Sequence, residues 1–371
     1  ATSGKADRTS MPGPPRPLDR ANPDLGSRFS PGCGLGGGFG VSDNTLASLV
    51  GGIRSREDII ATSDVMLIPK PTLGDMAELR DGQVLWGWPH AVQDSALTQI
   101  CIDKQLTLIA WEAMSHWTPE GAFVVHVFHI NNELAGYGSV LHAMTLHGST
   151  GHYGRPLTAA VIGFGNTARG AITALNGLGV HDVTVLTMRE VTAVASPFPS
   201  AVLDHMDRTE ADPSKTTVHT DAGPVPTAAF LARFEIVVNC VLQDTDAPLM
   251  FVTNSELAEF APGSLFVDVS CDAGMGFEWA QPTTFKEPML AVGDRIAYYG
   301  VDHSPSFLWN SATWSISEAL IPYLRSVMEG PSGWDQDRTI QLAIEIHTGV
   351  VQNPKILSFQ GRSADYPHLR L

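Results

Sequence analysis

Two polar side chains, Lys70 and His90, stand about twenty residues apart, and each follows an apolar run, at residues 64–71 and 83–90. Consecutive strands of an open α/β sheet end in one crevice, where ligands bind. A lysine there can hold a carboxylate or carry a proton, and a histidine is the natural general acid/base near neutral pH. The alternatives are a surface cation for Lys70 and a hydrogen-bonded structural role for His90.

Residues 159–170, Ala-Ala-Val-Ile-Gly-Phe-Gly-Asn-Thr-Ala-Arg-Gly, combine an apolar strand, a glycine-rich turn and the start of a helix. The first glycine permits a tight turn, the second lets a phosphate approach the backbone, and the small third residue lets helix and strand pack closely. Amide groups at the helix start then face the phosphates. The pattern predicts a dinucleotide-binding unit, the alternative being a plain glycine-rich turn. The predicted binding residues are Gly163, Gly165, Asn166, Thr167 and Ala168.

The end of the next strand, residues 183–189, bears on which dinucleotide binds. An NAD-binding unit usually places Asp or Glu there to hold the ribose 2′-hydroxyl, whereas this chain has Thr187, Met188 and Arg189. A hydroxyl and a guanidinium bind a 2′-phosphate that a carboxylate would repel. We therefore predict NADPH. NADH is the alternative if Arg189 is a solvated loop charge and Glu190 holds the ribose.

Two aspartates, Asp268 and Asp272, flank Val-Ser-Cys after another apolar run. At the end of a strand in the dinucleotide domain, they would face the nicotinamide and the substrate. One can orient a water or an ammonium-like nitrogen, while the other caps a turn. Asp272 is the preferred candidate for the site.

The spacing of the histidines and cysteines argues against a zinc site and against a C-x-x-C motif. His126, His129 and His142 show no zinc-ligand spacing, so no metal is predicted. The four cysteines lie far apart without a C-x-x-C motif, which is typical of buried thiols in a reducing cytoplasm.

The net charge and the lengths of the apolar runs bear on which kinds of partner the protein can bind. The formal net charge of -16 argues against a nucleic-acid partner, although a few local cations are enough for an anionic ligand. No apolar run of about 18 residues and no signal peptide is visible, so we expect a cytoplasmic protein with no membrane partner.

The chain is long enough for two α/β domains with a cleft between them. Three strands ending near residues 71, 90 and 112, with a helix over 95–104, are predicted in the first third. A glycine-containing helix is predicted over 131–146, and a long Pro/Ser/Thr-rich excursion over 190–226. A helix over 313–328 has apolar positions at helical spacing, which indicates core packing.

The chain resembles the alanine dehydrogenase and pyridine nucleotide transhydrogenase superfamily along nearly its whole length. The resemblance lies in the order of these parts and in residues 64–71, 82–90, 162–165 and 266–274. The resemblance implies two Rossmann-like domains with an interdomain cleft and a C-terminal segment that returns to the first domain. Residues 1–130 and 305–371 are then the substrate domain, and residues 131–304 are the dinucleotide-binding domain. A homo-oligomer is expected.

In that family a lysine and an arginine hold the carboxylate of a 2-oxo acid, a histidine is the acid/base, and an aspartate lies beside the nicotinamide. Lys70, His90 and Asp272 fall at those places, and Arg8 is similar to the arginine. The implied catalytic residues are thus Lys70, His90 and Asp272, with Arg8 and Lys70 binding substrate.

Residues 300–306, Gly-Val-Asp-His-Ser-Pro-Ser, and the tail 355–362 resemble the N5-(carboxyethyl)ornithine synthases, and the first run also resembles saccharopine dehydrogenases. Those enzymes join an amino acid to a 2-oxo acid by reducing an imine. The resemblance implies the same reaction here, with Asp302 and His303 near the cofactor and NADPH as the reductant. The alternatives are a simple amino-acid dehydrogenase using ammonia and a non-catalytic dinucleotide sensor.

Overall fold

The computed structural model describes residues 27–189 and 201–371, so the predicted substrate-binding Arg8 lies outside the described residues. The chain divides into two compact units. One runs up to His129 and resumes at Trp309–Leu371, and the other is Ile130–Leu308. The C-terminal segment therefore returns to the first unit. The substrate and dinucleotide roles of the two units stay predictions.

The strands of the described residues are numbered in chain order. They are β1 Val65–Leu67, β2 Val84–Gly87, β3 Thr107–Ala110, β4 Ser115–Trp117, β5 Phe123–His126, β6 Thr158–Ile162, β7 Asp182–Thr187, β8 Ala201–Arg208, β9 Thr216–Thr220, β10 Gly223–Pro226, β11 Ile236–Asn239, β12 Met250–Val252, β13 Ser264–Asp268, β14 Gly276–Phe277, β15 Met289–Val292, β16 Ile296–Tyr299, β17 Ile344–His347 and β18 Val350–Val351.

The α-helices are numbered in the same way. They are α1 Asp43–Ala47, α2 Arg56–Thr62, α3 Leu73–Glu78, α4 Ser95–Asp103, α5 His129–His147, α6 Asn166–Gly177, α7 Thr227–Leu231, α8 Trp309–Leu320, α9 Leu324–Met328, α10 Pro331–Trp334, α11 Arg338–Ala343 and α12 Pro354–Gln360. Short 3₁₀ helices cover Gly37–Phe39, Trp111–Ala113, Asn254–Glu259, Ser304–Leu308 and Ile321–Tyr323.

The first unit is built on a sheet of strand order β1-β2-β3-β17-β18. β1, β2 and β3 are parallel, and β17 pairs with β3 in the antiparallel sense. Alternate side chains enter two cores: Trp86 and Ile109 pack against α8 and α9, while Leu85 and Leu108 pack against α3 and α4. The three parallel strands end at one edge, and their carboxyl-terminal loops carry the predicted polar residues.

The predicted single helix over 313–328 is two helices in the structure, α8 and α9, with a 3₁₀ turn at Ile321–Tyr323 between them. Pro322 lies in that turn, where a residue without an N–H group interrupts the α-helical hydrogen bonds. Of the apolar positions of the predicted helix, Ile316, Leu320 and Leu324 are buried in the core, as predicted, whereas Trp314 and Ile321 are half-buried.

The second unit has a nine-stranded sheet of order β10-β9-β8-β7-β6-β11-β13-β16-β15. The strands from β8 to β16 in this order are parallel, and β9 and β15 pair with their neighbours in the antiparallel sense. This is a Rossmann-like arrangement, and it confirms the predicted fold class. The long excursion predicted over 190–226 forms three strands within its described part, residues 201–226. There the β-branched residues Val202, Val218 and Val225 lie in three strands that extend the sheet.

Helices α5 and α6 of this unit approach closely through glycines. A methyl group on Gly170 would lie 1.7 Å from the carbonyl oxygen of Glu133, and one on Gly136 would lie 1.9 Å from that of Thr167. Gly136 lowers the intrinsic helix propensity of α5, yet it and Gly170 are the residues that allow the two helices to approach. Within the described part of the chain, no helix is both long and apolar enough to cross a membrane.

Candidate functional site

The carboxyl ends of β1 and β2 open onto a surface pocket of about 380 Å³ in the first unit. Lys70 and His90 both line it, together with Trp88 and with Asp94 at the start of α4. The size is within the usual range for small-molecule sites. The structure therefore brings together a cation and an imidazole that the sequence places twenty residues apart.

A third polar residue, Glu112, supports this pocket from the 3₁₀ helix after β3. Its Oε1 accepts a 2.7 Å hydrogen bond from the backbone N–H of His90. His90 has a φ of +50°, a left-handed conformation that is strained for a residue other than glycine. Glu112 therefore holds the turn that presents the imidazole. It was missed in the sequence analysis, although it follows the third parallel strand as Lys70 and His90 follow the first two.

The pKa of the Glu112 carboxyl depends in part on Glu345, which lies far from it in the sequence. Burial raises the pKa of the Glu112 carboxyl well above its usual range, and the Glu345 carboxyl raises it further, while the Lys70 charge opposes the shift. Burial also raises the pKa of Glu345, whose Oε1 accepts a 2.9 Å hydrogen bond from Asn353. The Oε2 atoms of both glutamates are buried without a hydrogen-bond partner among the described residues. Beneath the lysine and the histidine therefore lies a carboxyl pair that retains a proton more readily than exposed carboxyls do.

In the second unit, the turn between β6 and α6 is made mainly of backbone. Gly163 has a φ of +95°, which favours glycine, and Gly165 is the N-cap of α6. A Cβ atom on Gly165 would meet nothing within 4 Å, so the space in front of the helix start is open. Asn166 and Thr167 form the first turn, and Ala168 is buried against the core. An open helix N-terminus behind a glycine turn fits a dinucleotide pyrophosphate.

Arg189 lies beside this turn. Its guanidinium donates a 2.5 Å hydrogen bond to the carbonyl oxygen of Phe164, between the two glycines. Its backbone N–H donates to Oγ1 of the buried Thr187 at 3.2 Å. The guanidinium is thus held at the rim of the glycine turn, where the ribose of a bound dinucleotide is expected. Glu190, the alternative ribose ligand, falls outside the described residues.

The two aspartates after β13 have different surroundings. Asp268 is fully buried and accepts three hydrogen bonds of 3.0 Å, from the side chains of Asn239 and Tyr298 and from the backbone N–H of Cys271. Burial raises the pKa of Asp268 to about 6. Asp272 is half-buried, and burial raises the pKa of its carboxyl as well. Asp268 therefore fixes the loop, and Asp272 is the carboxyl that a ligand can reach.

The remaining predicted residues lie just before the 3₁₀ helix Ser304–Leu308. Nδ1 of His303 is paired with the carboxylate of Asp302, and the His303 ring lies edge-on to Phe285. His142 stacks on Phe307, and burial lowers the pKa of its imidazole. The Asp302–His303 pair offers an imidazole whose orientation is set by a carboxylate.

The two α/β units and the open glycine turn define a dinucleotide-binding class of protein. The Alanine dehydrogenase/PNT, C-terminal domain family matches residues 141–354, which is more than half of the chain. The chain belongs to this family, as the sequence motifs indicated.

Relatives by sequence include alanine dehydrogenase of Mycobacterium tuberculosis (strain CDC 1551 / Oshkosh). It is 27% identical over 315 residues, which cover 81% of this chain and 79% of that protein. N(5)-(carboxyethyl)ornithine synthase of Clostridium botulinum is 22% identical over 305 residues, covering 79% of this chain and 84% of that protein.

Among solved structures, an L-alanine dehydrogenase superposes with a TM-score of 0.72 at 17% identity, covering 96% of this chain and 97% of that one. A transhydrogenase from Sinorhizobium meliloti gives 0.69 at 19% identity, covering 95% and 98%. These likenesses show the fold. The family match and the relatives by sequence make the chain an alanine dehydrogenase-like, dinucleotide-dependent oxidoreductase, which is evidence against a non-catalytic sensor.

Proposed function

We propose that this protein reduces the imine formed between a 2-oxo acid such as pyruvate and the amine of an amino acid such as ornithine or lysine. The observation that carries the proposal is the pocket in which Lys70 and His90 meet, with Glu112 behind them. A fixed cation suits the carboxylate of the oxo acid, and a positioned imidazole suits proton transfer at its carbonyl oxygen.

The chain's own groups divide the work as follows. Lys70 binds the oxo-acid carboxylate, with Arg8 as the predicted second cation. His90 donates a proton to the departing oxygen, so that the carbinolamine loses water. Glu112 keeps the His90 backbone in its turn and thereby orients the imidazole. Asp272 is the predicted carboxyl near the nitrogen on which positive charge develops.

The cofactor, when bound, supplies a hydride to the imine carbon. The start of α6, with Gly163, Gly165 and Ala168, suits its pyrophosphate. Arg189 and Thr187 suit a ribose 2′-phosphate, which favours NADPH over NADH. Asp302 and His303 are further predicted contacts. In sum, oxo acid, primary amine, NADPH and a proton give a secondary amine, NADP⁺ and water.

A second candidate is an alanine-type dehydrogenase in which ammonia takes the place of the amino acid. The higher sequence identity to alanine dehydrogenases favours it. The run Val-Asp-His-Ser-Pro-Ser over residues 301–306 favours the amino-acid amine instead. Both reactions use the same lysine and histidine.

Oxidation of NADPH at saturating pyruvate separates the two candidates. We expect turnover with ornithine or lysine, with a product that mass spectrometry identifies as the N-carboxyethyl amino acid. Turnover with ammonium alone, giving alanine, would replace the proposal by the second candidate. No oxidation with any amine would contradict both.

Lys70 provides the matched variants. Lys70→Ala should raise KM for the oxo acid and lower kcat, and Lys70→Arg should restore only part of the loss, because a planar fork does not replace a compact ammonium. A direct NADPH titration is the control and should be unchanged. Unchanged KM and kcat in Lys70→Ala would make this lysine a solvated surface residue.

A further inference from the structure

Three side chains that the proposed function does not use converge on the solvent face of β8 and β9. They are His205, Asp207 and His219, and one ligand atom from each lies within 4.8 Å of the others. Within residues 27–189 and 201–371 this is the one such group of three. The imidazole Nε2 atoms lie 3.1 Å (His205) and 2.9 Å (His219) from the two carboxylate oxygens of Asp207.

Strand register produces this convergence. β8 and β9 are antiparallel, with Met206 beside Val218, and these two residues are buried. Their neighbours therefore point to the opposite, solvent-facing side of the sheet. The rings of His205 and His219 are consequently 5.3 Å apart, with Asp207 two residues along the same face.

The hydrogen bond of His205 to the backbone directs its second ring nitrogen towards Asp207. Its Nδ1 lies 3.2 Å from the carbonyl oxygen of Arg189, which can only accept, so Nδ1 carries a proton. In the neutral ring Nε2 then has a lone pair, and this lone pair faces a carboxylate oxygen of Asp207. Both atoms are ligand atoms that a metal ion placed between them would bind.

We propose that His205, Asp207 and His219 bind a divalent transition-metal ion of the Zn²⁺ type. Two imidazoles and one carboxylate are a common ligand set for such ions, with remaining positions filled by water. In a tetrahedral zinc site, bonds of about 2.0–2.2 Å separate neighbouring ligand atoms by about 3.4 Å. The two nitrogen–oxygen separations, 3.1 and 2.9 Å, are within about 0.5 Å of that value, and the three ligand atoms lie within 4.8 Å of one another, so the side chains need to adjust to form the site.

The surroundings supply what metal-binding histidines usually have. The bond from His205 Nδ1 to a backbone carbonyl fixes the tautomer that offers Nε2 to the metal. The side chains of Asp207 and His219 are about half exposed, at 51% and 55%, so an ion can reach them. A bound ion would join β8 to β9 where the sheet changes from parallel to antiparallel, close to the carbonyl of Arg189.

A chelator competition measures this directly. Tag-free protein, carrying Cys33→Ser to remove the exposed thiol, is stripped with EDTA and titrated with Zn²⁺ against a chromophoric chelator. We expect one ion per chain, not displaced by excess Mg²⁺, which prefers oxygen ligands. His219→Ala and Asp207→Asn should each lower the affinity at least tenfold. His181→Ala, at an exposed histidine outside the cluster, should leave it unchanged.

Thermal unfolding gives a second readout that does not depend on activity. Zn²⁺ should raise Tm relative to EDTA in the parent protein and in His181→Ala, but not in the two cluster variants. Unchanged Zn²⁺ affinity in both cluster variants, or no saturable binding by the parent, would overturn the proposal. The cluster would then be a group of hydrogen-bonded surface side chains without a bound ion.

Discussion

The glycine turn of the second unit is built mainly from backbone groups, whereas the pocket of the first unit is built from side chains. The turn uses consecutive residues, and what it offers a ligand is mainly backbone at a helix start. The pocket uses side chains from the ends of separate strands, and one of its supporting groups, Glu345, comes from β17 near the other end of the chain. A site made of backbone is thus local in sequence, whereas the site proposed for proton transfer depends on the assembled fold.

The largest expected effect tests the pocket. His90→Ala should lower kcat by about 10²- to 10⁴-fold, the usual contribution of a general acid/base, while NADPH affinity stays nearly unchanged. Steady-state kinetics and a cofactor titration measure the two quantities. Gln93→Ala, which alters another lining residue, is the control and should retain most activity. A near-normal kcat in His90→Ala would make this histidine structural.

The next effect tests the helix contact that supports the turn. Gly170→Ala should lower the free energy of unfolding by about 1–3 kcal/mol, because the added methyl group meets the Glu133 carbonyl. Gly177→Ala, on the same helix with open space around it, should instead raise stability by about 0.5–1 kcal/mol. Denaturant unfolding measures both, and equal effects at the two positions would mean that the close approach is not important.

A smaller effect tests the rim of the turn. Arg189→Ala should weaken NADPH binding by about 1–3 kcal/mol through loss of a charge-assisted hydrogen bond to the 2′-phosphate. NADH binding to the same variant is the internal control, since NADH has no such phosphate. Parallel losses for both cofactors would show that Arg189 only supports the turn.

The smallest effect tests the buried carboxyl pair. Because burial raises the pKa of Glu345, the folded protein retains a proton there that the unfolded chain releases. The corresponding stability is present at acidic pH and is lost as pH rises through the raised pKa. Glu345→Gln should therefore flatten the decline of stability with pH, by on the order of 1 kcal/mol at neutral pH. Glu318→Gln, at an exposed position, is the control. An unchanged pH profile in Glu345→Gln would contradict the raised pKa of Glu345.

These differences explain what could be predicted from the sequence. The glycine turn after β6 could be predicted because its strand, glycines and helix are contiguous in the sequence. Lys70 and His90 could be predicted because each follows an apolar run. Glu112 also follows an apolar run, but neither its role nor the His205–Asp207–His219 cluster could be found from spacing. The role of Glu112 depends on a hydrogen bond to the His90 backbone, and the cluster depends on the register between β8 and β9.

The strands of segment 201–226 also could not be predicted from the local sequence. Its polar and proline-rich composition favours a loop, yet pairing with the edge of β7 makes β8, and β9 and β10 follow. Strand propensity depends on neighbours, and the neighbour here was not visible in the local sequence.

The return of the C-terminal segment to the first unit has a consequence for biosynthesis. A ribosome makes β1, β2 and β3 early, but β17, which covers the edge of β3, is among the last strands to emerge. Meanwhile the continuous segment Ile130–Leu308 can complete its own sheet. The nascent first unit therefore carries an unpaired strand edge through most of translation, a state in which chains are prone to aggregate. A prematurely terminated product would carry a finished glycine turn but a pocket that lacks Glu345.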